Sequence, residues 1–430
     1  MYEYRNGHLL MDGVPLAEIA ARYGTPCYVY SRADIEAAYR AYDRAFGTRA
    51  HHVHYAVKAN ANLAVLDVLA RLGAGFDIVS AGELARVLAA RGRPDGIVFS
   101  GVGKTVIDME AALAADIGVF NVESAAELER LDAVAGRLGR RARIAVRVNP
   151  DVDAQTHPYI STGLDENKFG VPMAEALEVY RTAARRPNLD VVGVACHIGS
   201  QLTTLAPFAD AMARVMLLVG RLADAGIPLA HVDAGGGLGV QYRDETPPAV
   251  ADYVATLCRA IPPQYEIHVE PGRSLVAAAG VLLTTVEYLK RTPKRHFAIV
   301  DAAMNDLIRP ALYEAWHEVL PLEEAAPGIP EDRYDLVGPV CESGDFLAQD
   351  RALRLSPGAR LAVLSAGAYG HVMASNYNAR PRPPEIMVDR GAAHLVRARE
   401  SLAALYSGEA VLPIAPRECD SPSSSTVTVQ

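Results

Sequence analysis

The sequence predicts an α/β protein, a (β/α)8 barrel of the TIM type followed by a mainly β C-terminal domain. Three observations carry this reading. β-rich runs recur along the first two-thirds of the chain, and the first four begin at residues 52, 75, 97 and 119, a nearly constant interval. Ala- and Leu-rich stretches suited to helices separate them. Beyond about residue 275 the texture changes to strand-like runs punctuated by Pro and Gly, with fewer helices.

Taken in order, residues 1–28 are an N-terminal segment with short β-like pieces, the clearest Tyr28-Val29-Tyr30, and the segment is expected to join the β domain. The barrel is expected over 29–275, with strands at 52–57, 75–79, 97–100, 119–122, 144–148, 191–196, 231–234 and 267–269. Helices are expected between them, for example over 63–72 and 124–138, where Ser124 and Glu127 suit a capping box. Strand and helix alternating eight times imply parallel strands with right-handed crossovers. A closed barrel accommodates eight such units better than an open sheet. The stretch 150–170 is too long for an ordinary connection and reads as a functional loop. Strands are expected at 282–288, 297–300, 334–340, 360–364 and 385–388 in a β domain spanning 276–420, before a flexible tail at 421–430.

Composition narrows the function. The formal net charge of −9 argues against binding to nucleic acid or acidic membranes, both of which require a positive field. No apolar run approaches the roughly 20 residues of a membrane span, and the start, MYEYRNGHLL, lacks a signal-peptide pattern. Five scattered cysteines follow no metal-ligand spacing, so reduced thiols, a cytoplasmic location and no metal are expected. Only Lys58, Lys104, Lys168, Lys290 and Lys294 are lysines, against 37 arginines. Genomic base composition explains the bias, yet a lysine at a strand end in such a chain draws notice. An ammonium can lose its proton and form a Schiff base, whereas a guanidinium effectively cannot.

The unusual residues collect where a barrel builds its active site, at the C-terminal ends of the strands. After the seventh strand comes Asp233-Ala234-Gly235-Gly236-Gly237-Leu238-Gly239, whose glycines allow N–H groups to converge on an anion. After the eighth comes Glu270-Pro271-Gly272-Arg273-Ser274. The first strand ends at Lys58, where desolvation is expected to lower the pKa towards the neutral nucleophile. A phosphate site facing an imine-forming lysine points to pyridoxal 5'-phosphate, with Glu270 as the acid partner of its pyridine nitrogen. His197 is placed to stack on the ring and Ser200 to bond the phosphate.

The blocks YAVKAN, FDIVSAGEL, FSGVGK, NPDVDAQTHPYISTG, ENKFG, HIGSQ, DAGGGLG, EPGRS, LIRPALY, GPVCESGD and GAYGHVMASNYNARPRP occur in order from about residue 10 to about 390. Together they resemble the diaminopimelate decarboxylases, pyridoxal-phosphate enzymes with a barrel and a β domain. The resemblance implies conversion of meso-2,6-diaminopimelate to L-lysine and CO2 through an aldimine, as the last step of lysine biosynthesis. It implies that Lys58 holds the cofactor, His197 stacks on its ring, and Glu270 meets its pyridine nitrogen. Ser200, Gly235, Gly236, Gly237, Gly272 and Arg273 correspond to the phosphate cradle, with Tyr369 a further contact. Arg273, Arg309 and Tyr313 correspond to residues holding the distal carboxylate, and Tyr377 to one touching substrate and cofactor. Cys341, a proton donor, and Glu342, a partner for the distal amine, correspond to residues supplied by the neighbouring subunit of a homodimer. The alternatives are a decarboxylase of ornithine or arginine, whose substrates end in a cation, and a non-catalytic homologue that only holds the cofactor.

Overall fold

Alternation along each strand-like run separates two sets of side chains. On the first, Val53, Tyr55 and Val57 join the large core under the helices, while the His54 ring faces Gly75 of the next strand. The computed structural model describes residues 2–152 and 168–413 of the chain. Eight parallel strands form there: β1 (His51–Ala56), β2 (Gly75–Ile78), β3 (Ile97–Phe99), β4 (Val119–Val122), β5 (Ala142–Asn149), β6 (Leu189–Ala195), β7 (His231–Asp233) and β8 (Glu266–Val269). Each pairs with the next, and β8 pairs with β1, so the sheet closes. All eight stand where the sequence places them, with ends shifted by a residue or two.

Helices of eight or more residues precede β1 and follow strands β1 to β7. The helix Leu63–Arg71 is capped by the Asn62 side chain, which accepts from Ala64 N–H. The helix Ala125–Arg137 is capped by Ser124, which accepts from Glu127 N–H at 3.1 Å. The reciprocal half of the expected capping box is replaced. Glu127 instead accepts from Glu123 N–H and pairs with the buried ammonium of Lys104 at 2.8 Å.

Beyond β8 a second sheet is built on the long strand Gly280–Arg291. Its first half pairs with Cys27–Ser31 and with Arg360–Val363, and its second half pairs with His296–Val300. Cys27–Ser31, reached before the barrel begins, thus lies inside this sheet, between Gly280–Arg291 and Glu385–Asp389. The strand expected to run to 340 ends at Val337. There Asp345 accepts from the Met304 and Val340 N–H groups and folds 338–345 into a turn. In this second sheet three of the described strands went unread: Val319–Pro321, Phe346–Leu353 and Ala392–Arg397. Most of the loop expected over 150–170 and all of the 421–430 tail lie outside the described residues.

Candidate active site

A cavity of about 560 Å³ opens at the C-terminal ends of the barrel strands, against the second domain. Lys58 reaches it from the one-turn helix Val57–Ala59 just past β1. Its ammonium pairs with Asp77 of β2 at 2.5 Å, and Asp77 is fully buried. Burial pulls the lysine pKa down, but the Asp77 and Glu270 carboxylates outweigh it, and the net displacement is upward. The expectation of a neutral, desolvated amine is therefore overturned. Lys58 stands as an ammonium held by a carboxylate that the sequence reading did not single out.

Glu270, directly after β8, is buried beneath the same cavity. Asn121 Nδ2 donates to its Oε1 at 3.3 Å. Burial pushes its pKa well up, and the neighbouring Asp233 and Asp77 carboxylates push further, while the Lys58 ammonium pulls it back. His197, after β6, accepts from Gly236 N–H through Nδ1 at 3.1 Å. Burial, with Arg147 and Lys58 adding, holds its pKa well below the usual value, and the imidazole is neutral.

The three-glycine run divides its labour. Gly235 N–H donates to Asp233 Oδ1 at 2.8 Å and Gly236 N–H to His197, so both are turned inward. Gly237, at φ 114°, lines the cavity. A Cβ there would meet the Gly199 carbonyl, which is why glycine is needed. Ser200 and Arg273 complete that wall, Arg273 Nη2 donating to Ser200 Oγ at 2.9 Å.

Arg273 and Arg309 are both buried, and among the described residues no carboxylate pairs with either. Arg273 instead donates to Tyr242 Oη at 2.8 Å and lies 4.8 Å from the Tyr369 ring centre. Arg309 lies 4.4 Å from the Tyr242 ring centre and donates to His317 Nε2 at 2.8 Å. His317 Nδ1–H donates to the Leu364 carbonyl at 2.7 Å, which fixes the tautomer and leaves Nε2 as the acceptor. Burial and Arg309 hold the His317 pKa down to about 3. Tyr313, at the end of the short helix Arg309–Tyr313, lines the same wall.

Cys341, Glu342 and Tyr377 stand apart from this cavity. Cys341 is exposed on the 338–345 turn, its N–H donating to Asn378 Oδ1 at 2.9 Å. The Tyr377 hydroxyl donates to the Glu342 carboxylate, and Tyr377 is 45% exposed. The chain brings these three together with one another, not with its own Lys58. Asp77, Tyr242 and His317 are the neighbours that sequence reasoning missed. Asp77 had a signal, the alternation of β2 that puts Gly75 and Asp77 on one face; the other two had none.

The residues present suit pyridoxal phosphate. The cavity offers the Lys58 ammonium, the buried Glu270 carboxyl and a neutral imidazole. It also offers unneutralised guanidiniums, and Arg273 Nε is a buried donor without a partner. A barrel with a lysine at its mouth, joined to a β domain that walls the site, defines a pyridoxal-phosphate-dependent decarboxylase. Residues 32–277 match the family model for the pyridoxal binding domain of pyridoxal-dependent decarboxylases. The diaminopimelate decarboxylase of Pseudomonas aeruginosa is 60% identical over 96% of this chain and 99% of its own. Two solved diaminopimelate decarboxylases in complex with L-lysine also match. That of Helicobacter pylori is 43% identical, covering 91% of this chain and 98% of its own, with a TM-score of 0.88. That of M. jannaschii is 38% identical, covering 96% and 98%, with a TM-score of 0.92. The chain belongs to the diaminopimelate decarboxylase family. Among the described residues no helix is long and apolar enough to cross a membrane.

Proposed function

We propose that the chain decarboxylates meso-diaminopimelate to L-lysine and CO2 as a cytoplasmic homodimer with shared sites. The observation that carries the substrate is the pair of buried guanidiniums, Arg273 and Arg309, left without a carboxylate in the wall of the Lys58 cavity. Two such cations suit a substrate whose far end is a carboxylate, and Arg309 and Tyr313 would bind it together with Arg273. They would repel the cationic end of ornithine or arginine.

Pyridoxal phosphate, when bound, supplies the electron sink for the charge left behind as CO2 departs. The chain's own residues do the rest. Lys58 would hold the cofactor covalently and His197 would cover its ring. Ser200, Gly237, Gly272 and Arg273 would take its phosphate, with Gly235 and Gly236 shaping the turn and Tyr369 walling it. Glu270 would keep the pyridine nitrogen protonated through a charge-assisted hydrogen bond. Cys341, Glu342 and Tyr377 complete the site from a second copy, with Cys341 returning a proton to the carbon that lost CO2 and Glu342 receiving the distal amine. The exposure of all three away from their own Lys58 supports this arrangement.

Purified enzyme with added pyridoxal phosphate should release CO2 from meso-diaminopimelate far faster than from ornithine or arginine. Faster release from ornithine would reverse the substrate reading, and no release from any amino acid would favour a cofactor-holding protein.

A further inference from the structure

The opposite, N-terminal end of the barrel carries a second group of chemistry-bearing side chains that the decarboxylation does not use. His52 on β1 and His268 on β8 are register partners across the strand pair that closes the barrel. Glu266 of β8 sits between them, Oε1 at 3.2 Å from His52 Nε2 and Oε2 at 3.5 Å from His268 Nε2. We propose that His52, Glu266 and His268 bind one divalent transition-metal ion of the zinc class and staple the closing seam of the barrel.

The geometry is close to that of an occupied site. One ligand atom from each residue lies within 4.8 Å of the others. Tetrahedral zinc, with bonds of roughly 2.0–2.2 Å to N and O, places its ligands about 3.4 Å apart. The 3.2 and 3.5 Å contacts run to the two different oxygens of Glu266, so one oxygen must swing between the rings, and the His52 side chain, 55% exposed, can turn to close the site. Water at the mouth completes the coordination, and the same exposure gives the ion its entry path.

Unpartnered ring nitrogens supply the second argument. His54 Nδ1 faces the Gly96 carbonyl at 3.1 Å and must donate to it, so His54 Nε2 is a bare acceptor; it is buried and has no partner. The adjoining His268 ring, centred 4.9 Å away, also has a buried, partnerless Nδ1. Without a metal, a proton on His268 Nε2 serves Glu266 and leaves two buried acceptors beside each other with no donor. An ion on Nε2 would move that proton to Nδ1, so His268 would bring a donor to a group of rings that has none. A ligating imidazole whose other nitrogen donates to a neighbour is the usual outer-shell arrangement. The ring is also held for this purpose, since His268 stacks on His231 at 4.1 Å with planes 5° apart.

Tag-free holoenzyme is stripped with a chelator, exposed to Zn2+ and desalted, and bound metal is counted. The expected result is about one Zn2+ per chain in the wild type and near none in His52→Ala and Glu266→Gln. Neither residue touches the Lys58 cavity, so kcat should stay near wild type in both variants, which also shows that they fold. Zn2+ should raise the thermal midpoint of the wild type alone. Failure of the wild type to retain zinc overturns the proposal. Equal retention by the two variants does so as well, because the ion then sits elsewhere.

Discussion

Lys58 and His317 show how single residues set this site. Replacing Lys58 with Ala should abolish turnover and the visible absorption of the lysine-bound cofactor, read by a CO2 assay and a spectrum of the desalted protein. His317 acts through Arg309 as a positioning residue. His317→Leu removes the acceptor from a charged donor, worth about 1.5–3 kcal/mol, and should raise KM for diaminopimelate by tenfold or more with a smaller change in kcat. His317→Gln, which keeps an acceptor, should recover much of that loss. The histidine also carries a pH signature. Its imidazole takes up a proton near pH 6.5 when unfolded but only near about 3 when folded. The unfolded state therefore binds more protons below neutrality, and the wild type loses up to about 1.4 kcal/mol per pH unit relative to His317→Gln as pH falls. Urea unfolding of both proteins at pH 7 and pH 5 measures the difference; parallel behaviour would contradict the buried, neutral assignment. His317 was invisible in the sequence because nothing local marks it. Its partners, Arg309 and the Leu364 carbonyl, meet it only through the second sheet.

At the scale of elements, the barrel strands were legible because their spacing and alternation come from local sequence. Phe346–Leu353 was not, since Gln349, Asp350 and Arg351 break its apolar run. Among the described residues its only partner in the sheet is Asp332–Val337, so it occupies an edge where Gln349 and Asp350 reach solvent, while Arg351 turns inward and donates to the His317 carbonyl. The capping box at Ser124 was half right for a related reason. Ser124 caps locally, but Glu127 is drawn off by Lys104, a tertiary neighbour. Glycines on the inner face of the barrel follow a rule the sequence also hid. A Cβ on Gly193 of β6 would overlap the His231 ring, and one on Gly75 of β2 would overlap His54. The inner layer thus alternates imidazoles with the absence of a side chain. Gly193→Ala should cost about 1–3 kcal/mol or more by overpacking. Adding His231→Ala should return part of that loss. A strictly additive pair, read from urea unfolding of the two single variants and the double, would show that the clash is not the cause.

For the whole molecule, the decisive question is whether one chain holds a complete site. Spacing alone does not say which barrel Cys341 serves, although its polar, glycine-containing turn pointed to exposure. In the fold, Cys341, Glu342 and Tyr377 form an exposed cluster outside their own Lys58 cavity. If a second copy receives them, two-fold symmetry makes each chain both donor and acceptor, and every dimer has two shared sites. Mixing then separates the two geometries. Lys58→Ala and Cys341→Ala should each be nearly inactive alone. A hybrid dimer has one site with both lesions and one with neither. With equal amounts and free exchange about half of the dimers are hybrids, and half of their sites are intact, so about a quarter of wild-type activity should return. A cysteine serving its own barrel predicts a different result, since every site in the mixture would then carry one lesion. Exchange confirmed by mass-labelled chains, with no recovery of activity, would place Cys341 in its own chain's site and end the shared-site reading.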